Sequence, residues 1–268
     1  MTDFTEWTAG DARAHVKVPA TSDDKFSRGV LGLITGSEEY PGAAVIGVEA
    51  ALRTGLGMAR YLGPPRVADL VLARRPETVV GQGRVQAWLI GSGTTAEGYA
   101  SNDADFAMTQ GLPTVLDAGA LALVSDRKGP VVITPHYREL GRLLEVEPDE
   151  IAANPRGWAI RAAEQLGVTV LLKGHVTHVA GPGTTLVARV APTWLATAGA
   201  GDALAGILGA LVATHTSEIE TDDGMLARLA ATAAVIHGLA AHRASAGGPL
   251  TVMDLAAAVS PTIAELLG

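Results

Sequence analysis

Cysteine is absent from the 268 residues, which removes disulfide frameworks, thiolate metal sites and cysteine nucleophiles at once. Basic runs are also missing: 20 Lys and Arg stand against 28 Asp and Glu, for a formal net charge of -8. No nucleic-acid surface is therefore expected, although local backbone amides still allow an acidic protein to take small anions. The opening residues, MTDFTEWTAGDARAH, lack the basic-then-apolar order of a signal peptide. The most apolar stretch, residues 203–213, is too short to span a bilayer and follows an aspartate, so a cytoplasmic protein with no membrane partner is expected. No G-x-x-x-x-G-K-[ST] occurs, no G-x-G-x-x-G opens the first helix and no G-x-S-x-G elbow is present. These gaps speak against P-loop, Rossmann-dehydrogenase and serine-hydrolase chemistry.

Hydrophobic residues, at 48%, dominate the 18% that are charged, which is the balance of a chain with a sizeable core. Residues 1–25 are polar and read as an irregular peripheral arm, and 26–268 as one domain, since no repeat or Pro/Ser-rich linker divides them. Short apolar runs at 29–35, 87–93, 113–119, 129–136 and 168–174 read as buried strands, and residues 177–190 as a hairpin. Residues 42–55, 137–144, 201–214 and 223–245 read as helices. This alternation predicts an α/β fold with a central, mostly parallel sheet and helices on both faces. In such sheets ligands collect at the carboxyl ends of the strands, where the polar and glycine clusters of this chain fall.

Five of those clusters bear on chemistry. In TAGAGD, residues 197–202, glycines precede an apolar helix whose first turn carries Asp202. Such a turn aims free amides and the positive end of the helix dipole at one point, and so suits an anion, often phosphate. Asp202 also fits a simple helix-start carboxylate. In TPHYREL, residues 134–140, Pro135 suits a first helical turn, and His136 and Glu139 share a face. Two such side chains make a weak metal site, but Glu139 near phosphates fits a Mg²⁺ contact, and a solvated pair fits equally. In LLKGHVT, residues 171–177, a buried strand ends at Lys173, either an ordinary surface lysine or a point-charge contact for phosphate. TGSEEYPGAA, residues 35–44, and IGSG, residues 90–93, are turns open enough to admit a ligand to the backbone. Five such turns on one edge favour a nucleotide-sized site.

The motifs GVLGLITGSEEYPGAAVIGVEAALRTGLG, RPETVV, IGSG, VLDAGAL, TPHYREL, LLKGHVTHVAGP, LATAGAGDALAGILGAL and VIHGLAAH occur in one order from about Arg28 to the C-terminus. In that order the chain resembles the ADP/ATP-dependent NAD(P)H-hydrate dehydratases, whose fold is ribokinase-like. It looks like the stand-alone dehydratase, without the fused epimerase domain. The resemblance implies that Ala43, Gly93, His136 and Asp202 contact the hydrated NADH or NADPH. It implies that Lys173, Gly174, His175, Val176, Thr177 and Gly201 contact the adenine nucleotide, ADP or ATP. Asp202 would be the base, Mg²⁺ the accompanying metal, and a homo-oligomer, a tetramer in the family, the assembly. The chain departs from the family pattern at Ala198, Gly119, Tyr137, Arg138 and Ser92. A small-molecule kinase of the same fold, acting on a vitamin precursor or sugar-like alcohol, is the alternative.

Overall fold

The computed structural model describes residues 4–92 and 100–268. In chain order its strands are β1 Thr5–Glu6, β2 Val30–Ile34, β3 Met58–Tyr61, β4 Val79–Val80, β5 Ala87–Ile90, β6 Thr114–Leu116, β7 Val131–Ile133, β8 Thr169–Leu172, β9 Thr177–Gly181 and β10 Thr184–Ala188. They join one sheet in the order β1-β10-β9-β8-β7-β6-β5-β2-β3-β4. Every pairing is parallel except the two made by β9, with β8 and with β10, which form the expected hairpin at residues 177–190.

The helices are α1 Ala9–Arg13, α2 Gly42–Arg53, α3 Pro65–Arg74, α4 Ala100–Thr109, α5 Tyr137–Leu144, α6 Pro148–Ala153, α7 Pro155–Leu166, α8 Ala200–Thr214, α9 Thr216–Thr221, α10 Met225–Ser245 and α11 Val252–Leu267. They cover both faces. Leu31 and Leu33 of β2 pack with α2, α8 and α10 on one side, while Val30 and Ile34 pack with α4 and β5 Trp88 on the other. Because successive side chains of a strand point to opposite faces, a strand covered twice must be apolar throughout. That is why the central strands read as unbroken apolar runs.

Small residues let the helices approach the sheet and each other. A β-carbon on Gly206 of α8 would lie 2.4 Å from the Gly47 carbonyl of α2, so these two helices touch backbone to backbone. Their amino ends are thereby brought to the same edge of the sheet.

One reading of the sequence needs correction. Residues 4–25 are not wholly irregular: β1 pairs with β10, and α1 packs on α10. The Trp7 indole is buried and donates to Thr232 Oγ1 at 3.0 Å. A two-residue edge strand carries no periodicity that a sequence reading could detect. Residues 203–213 fall within α8, which is too short to span a bilayer as expected, whereas α10 is the described helix long and apolar enough to cross one. It is 78% buried inside the fold, as the core helix that α8, α11 and the sheet pack around.

Candidate active site

The chain leaves β2 outward to β3 and β4, then returns on the other side of β2 as β5. The reversal opens a crevice beyond the carboxyl ends of β2 and β5, the usual ligand position in open α/β sheets. Thr35 and Gly36 follow β2, Gly91 and Ser92 follow β5, Asp117 follows β6, Thr134 to His136 follow β7 and Lys173 follows β8. The Gly36 amide donates to the Ser92 carbonyl at 2.5 Å, closing the two loops at the crevice.

Opposite these strand ends stands the amino end of α8. Gly199 caps it at φ 85°, a left-handed conformation natural to glycine. The first helical amide bond runs from Ala203 back to the Gly199 carbonyl at 3.0 Å. The Gly201 and Asp202 amides find no backbone acceptor among the described residues and point outward with the positive end of the dipole. The α2 helix begins alongside, at Pro41, also without a side-chain cap. Ala43 is buried in its first turn, and a β-carbon on Gly47 would lie 3.8 Å from the Asp202 carbonyl. Two helix amino ends thus converge.

At their focus one ammonium faces three carboxylates. Lys173 Nζ lies 2.7 Å from Asp117 Oδ1 and 3.7 Å from Glu139 Oε2. Thr134 Oγ1 donates to the same Asp117 oxygen at 2.6 Å. A β-carbon on Gly201 would lie 3.5 Å from Lys173 Nζ and 3.9 Å from Asp117 Oδ2, so the pair sits directly against the α8 turn. Burial works against the Lys173 charge, but Asp117 and then Glu139 outweigh it and hold the amine above its ordinary value. Burial first, and then the Asp117 charge, push the Asp202 carboxyl up to about 6, against a hydrogen bond from Ser92 and the charge of Lys173. A carboxyl so placed is ionised at neutral pH yet more basic than a free aspartate.

His136 is the N-cap of α5 and half exposed at the rim. Its Nδ1 accepts the Glu139 amide at 3.1 Å, while the Glu139 carboxylate accepts the His136 amide at 2.8 Å. Its Nε2 lies 3.6 Å from Glu139 Oε1. The cap and the rim position coexist. Glu139, expected to contact Mg²⁺, closes the capping box and faces the Lys173 ammonium. No group of three or more metal-ligating side chains occurs among the described residues.

Beyond Lys173 lies a pocket of about 160 Å³, where Lys173, Gly174, Thr177 and Gly201 meet Ala191, Leu195, Leu204, Ala234 and His237. Four of the six residues expected on the nucleotide side line it; His175 and Val176 stand in the bend between β8 and β9 and do not. The Tyr137 hydroxyl covers this bend, 2.7 Å from where a Gly174 β-carbon would be. His237 is buried with no partner for Nε2 among the described residues, and burial brings its pKa down to about 4, so it is neutral. Gly93 lies outside the described residues. Asp117, Thr134 and His237 carried no assignment from the sequence. An acid at the end of a buried strand, within the VLDAGAL motif, is the signal that points to Asp117.

The sequence pattern of the NAD(P)H-hydrate dehydratases matches residues 31–262. The bifunctional NAD(P)H-hydrate repair enzyme Nnr of Mycobacterium tuberculosis is 39% identical over 226 residues, which are 80% of this chain and 47% of that protein. The chain thus spans about half the length of such relatives. The ADP-dependent (S)-NAD(P)H-hydrate dehydratase of Xanthomonas campestris is 33% identical over 230 residues, 77% of this chain and 79% of that protein. The crystal structure of the ADP/ATP-dependent NAD(P)H-hydrate dehydratase from Bacillus subtilis, co-crystallized with ATP/Mg²⁺, superposes with a TM-score of 0.89 at 25% identity, covering 99% of this chain and 100% of that one. The sheet and its helices are the ribokinase-like fold of that structure. With a pattern that spans nearly the whole chain and a site assembled from the same motifs, this chain belongs to the NAD(P)H-hydrate dehydratase family.

Proposed function

We propose that this chain is an ADP-dependent (S)-NAD(P)H-hydrate dehydratase, returning hydrated NADH or NADPH to NAD(P)H and releasing AMP and phosphate. The observation that carries the reading is the position of Asp202. It stands in the first turn of α8, whose amino end carries no side-chain cap, with the charges of Asp117 and Lys173 acting on it. In this reading the hydrate lies against Ala43, His136 and Asp202, with Gly93 as a further contact. The nucleotide fills the pocket of Lys173, Gly174, Thr177 and Gly201, with His175 and Val176 reaching it from the bend.

Hydroxide is a poor leaving group, and phosphorylation remedies this. The Asp202 carboxylate takes the proton of the ring hydroxyl as its oxygen attacks the terminal phosphorus of ADP, and the bond to AMP breaks. The Gly201 and Asp202 amides and the Lys173 ammonium hold the transferring group. The ring-nitrogen lone pair then expels phosphate, and loss of a proton from the neighbouring carbon restores the dihydropyridine. Mg²⁺ is assigned to the phosphates of the nucleotide and is given no step here.

The test combines hydrated NADH with the protein, Mg²⁺ and ADP or ATP, and follows the reduced-nicotinamide chromophore and the released nucleotide. Return of the chromophore with stoichiometric phosphate supports the reading. A stable phosphorylated product would favour a small-molecule kinase instead. Homo-oligomer formation belongs to the same proposal, and light scattering tests it.

A further inference from the structure

We propose that Asp117 is a positioning residue for this reaction, acting through Asp202 as a fixed negative charge that keeps the base ready to accept a proton. The proposal rests on the dehydratase reading of the same site. Asp117 is 3% exposed, and its Oδ1 is pinned twice, by Thr134 Oγ1 at 2.6 Å and by Lys173 Nζ at 2.7 Å. Its other oxygen faces the α8 turn, 3.9 Å from where a Gly201 β-carbon would be. The following residue, Ala118, adopts φ 49°, a left-handed conformation unusual for alanine, at the turn that aims the carboxylate.

The charge balance gives this placement its purpose. Asp202 is faced by Asp117 from the end of β6, Lys173 from β8 and the Ser92 hydroxyl from the turn after β5, while Gly47 of α2 packs beside its main-chain carbonyl. From α5, Glu139 lies 3.7 Å from Lys173 Nζ and pairs with the His136 ring, and His237 from α10 is neutral. Without Asp117, Lys173 would keep only Glu139 as a second carboxylate partner, would act more strongly on Asp202 and would make it a weaker base. Asp117 occupies the ammonium, and Lys173 is left to bind phosphate without silencing Asp202. This division of labour between two nearby carboxylates follows from their different surroundings.

The test uses two neutral variants, Asp117→Asn and Asp117→Ser, each checked for a cooperative melt. In protein labelled with ¹³C at the aspartate carboxyls, the Asp202 resonance is identified by its loss in Asp202→Asn and titrated. Removing a like charge should lower its midpoint by about one unit or more. Turnover should fall about 3- to 10-fold as the base weakens, while ADP binding, followed by calorimetry, holds or tightens. A structural defect would instead weaken both together. An unmoved Asp202 midpoint in both variants, unchanged turnover, or parallel loss of ADP binding and turnover would each overturn the proposal. A wild-type protein that titrates and shifts as described, yet restores no NADH, would sink the dehydratase reading and leave the coupling standing.

Discussion

Asp202→Asn should stabilise the folded chain while it disables the enzyme. The Asp202 carboxyl is pushed from 3.8 to about 6, chiefly by burial. Its folded-state pKa therefore lies above the unfolded value, and folding favours the protonated form. Below about pH 4 this costs nothing; as pH rises through the interval to about 6 stability is lost, and above that the whole penalty remains. Two units correspond to about 3 kcal/mol, an upper bound because the side chain is partly exposed. Against this stands the attraction of a first-turn carboxylate for the α8 dipole, worth about 0.3–1 kcal/mol. The difference favours Asn by about 1–2 kcal/mol, which for a chain of this size raises the melting temperature by roughly 2–6 °C. Calorimetry at pH 7.5 and pH 4 reads it directly: the variant should melt higher at the first and level with wild type at the second. Turnover should fall about 10²-fold or more. A variant that melts lower at pH 7.5, or whose difference from wild type ignores pH, would refute the argument and return Asp202 to the role of a helix-start carboxylate.

Other residues make separate demands. Glu49 is fully buried, and although burial opposes its charge, hydrogen bonds from Arg75, Arg53 and Arg74 hold its pKa down to about 2. Its contribution is complete above about pH 4.5 and is lost as pH falls toward 2, so Glu49→Gln should cost about 3 kcal/mol at neutral pH in urea melts and progressively less in acid. Gly206→Ala forces a β-carbon against the Gly47 carbonyl and should cost about 1–3 kcal/mol in the same melts. His136→Ala should weaken binding of the hydrated nucleotide more than it lowers the melting temperature, and calorimetry on both ligands separates the two. Lys173→Ala and Thr177→Val should each raise the ADP dissociation constant, with wild-type affinity in both ruling out the pocket beyond Lys173 as the nucleotide site.

Which parts of this site were legible in the chain follows from the range of each interaction. Strand and helix character is local. The doubly covered strands announce themselves as unbroken apolar runs, α5 matches residues 137–144 residue for residue, and Gly199 and Gly201 mark the α8 turn because an anion-accepting helix start needs open amides. Placing these turns on one edge follows from a parallel sheet, so the sequence pattern alone determined the mostly parallel α/β architecture, and the resemblance carried by its motifs implied the ribokinase-like fold. Neither determined which residues touch. Lys173 meets Asp117 across 56 residues, Trp7 meets Thr232 across 225, and α2 meets α8 through two glycines that local pattern cannot pair. Likewise Glu139 faces the Lys173 ammonium only because the fold sets α5 and β8 side by side. The raised Asp202 carboxyl exists only there, because desolvation and a neighbouring charge are properties of the packed chain: the sequence supplies the carboxylates, and the fold decides what each of them faces.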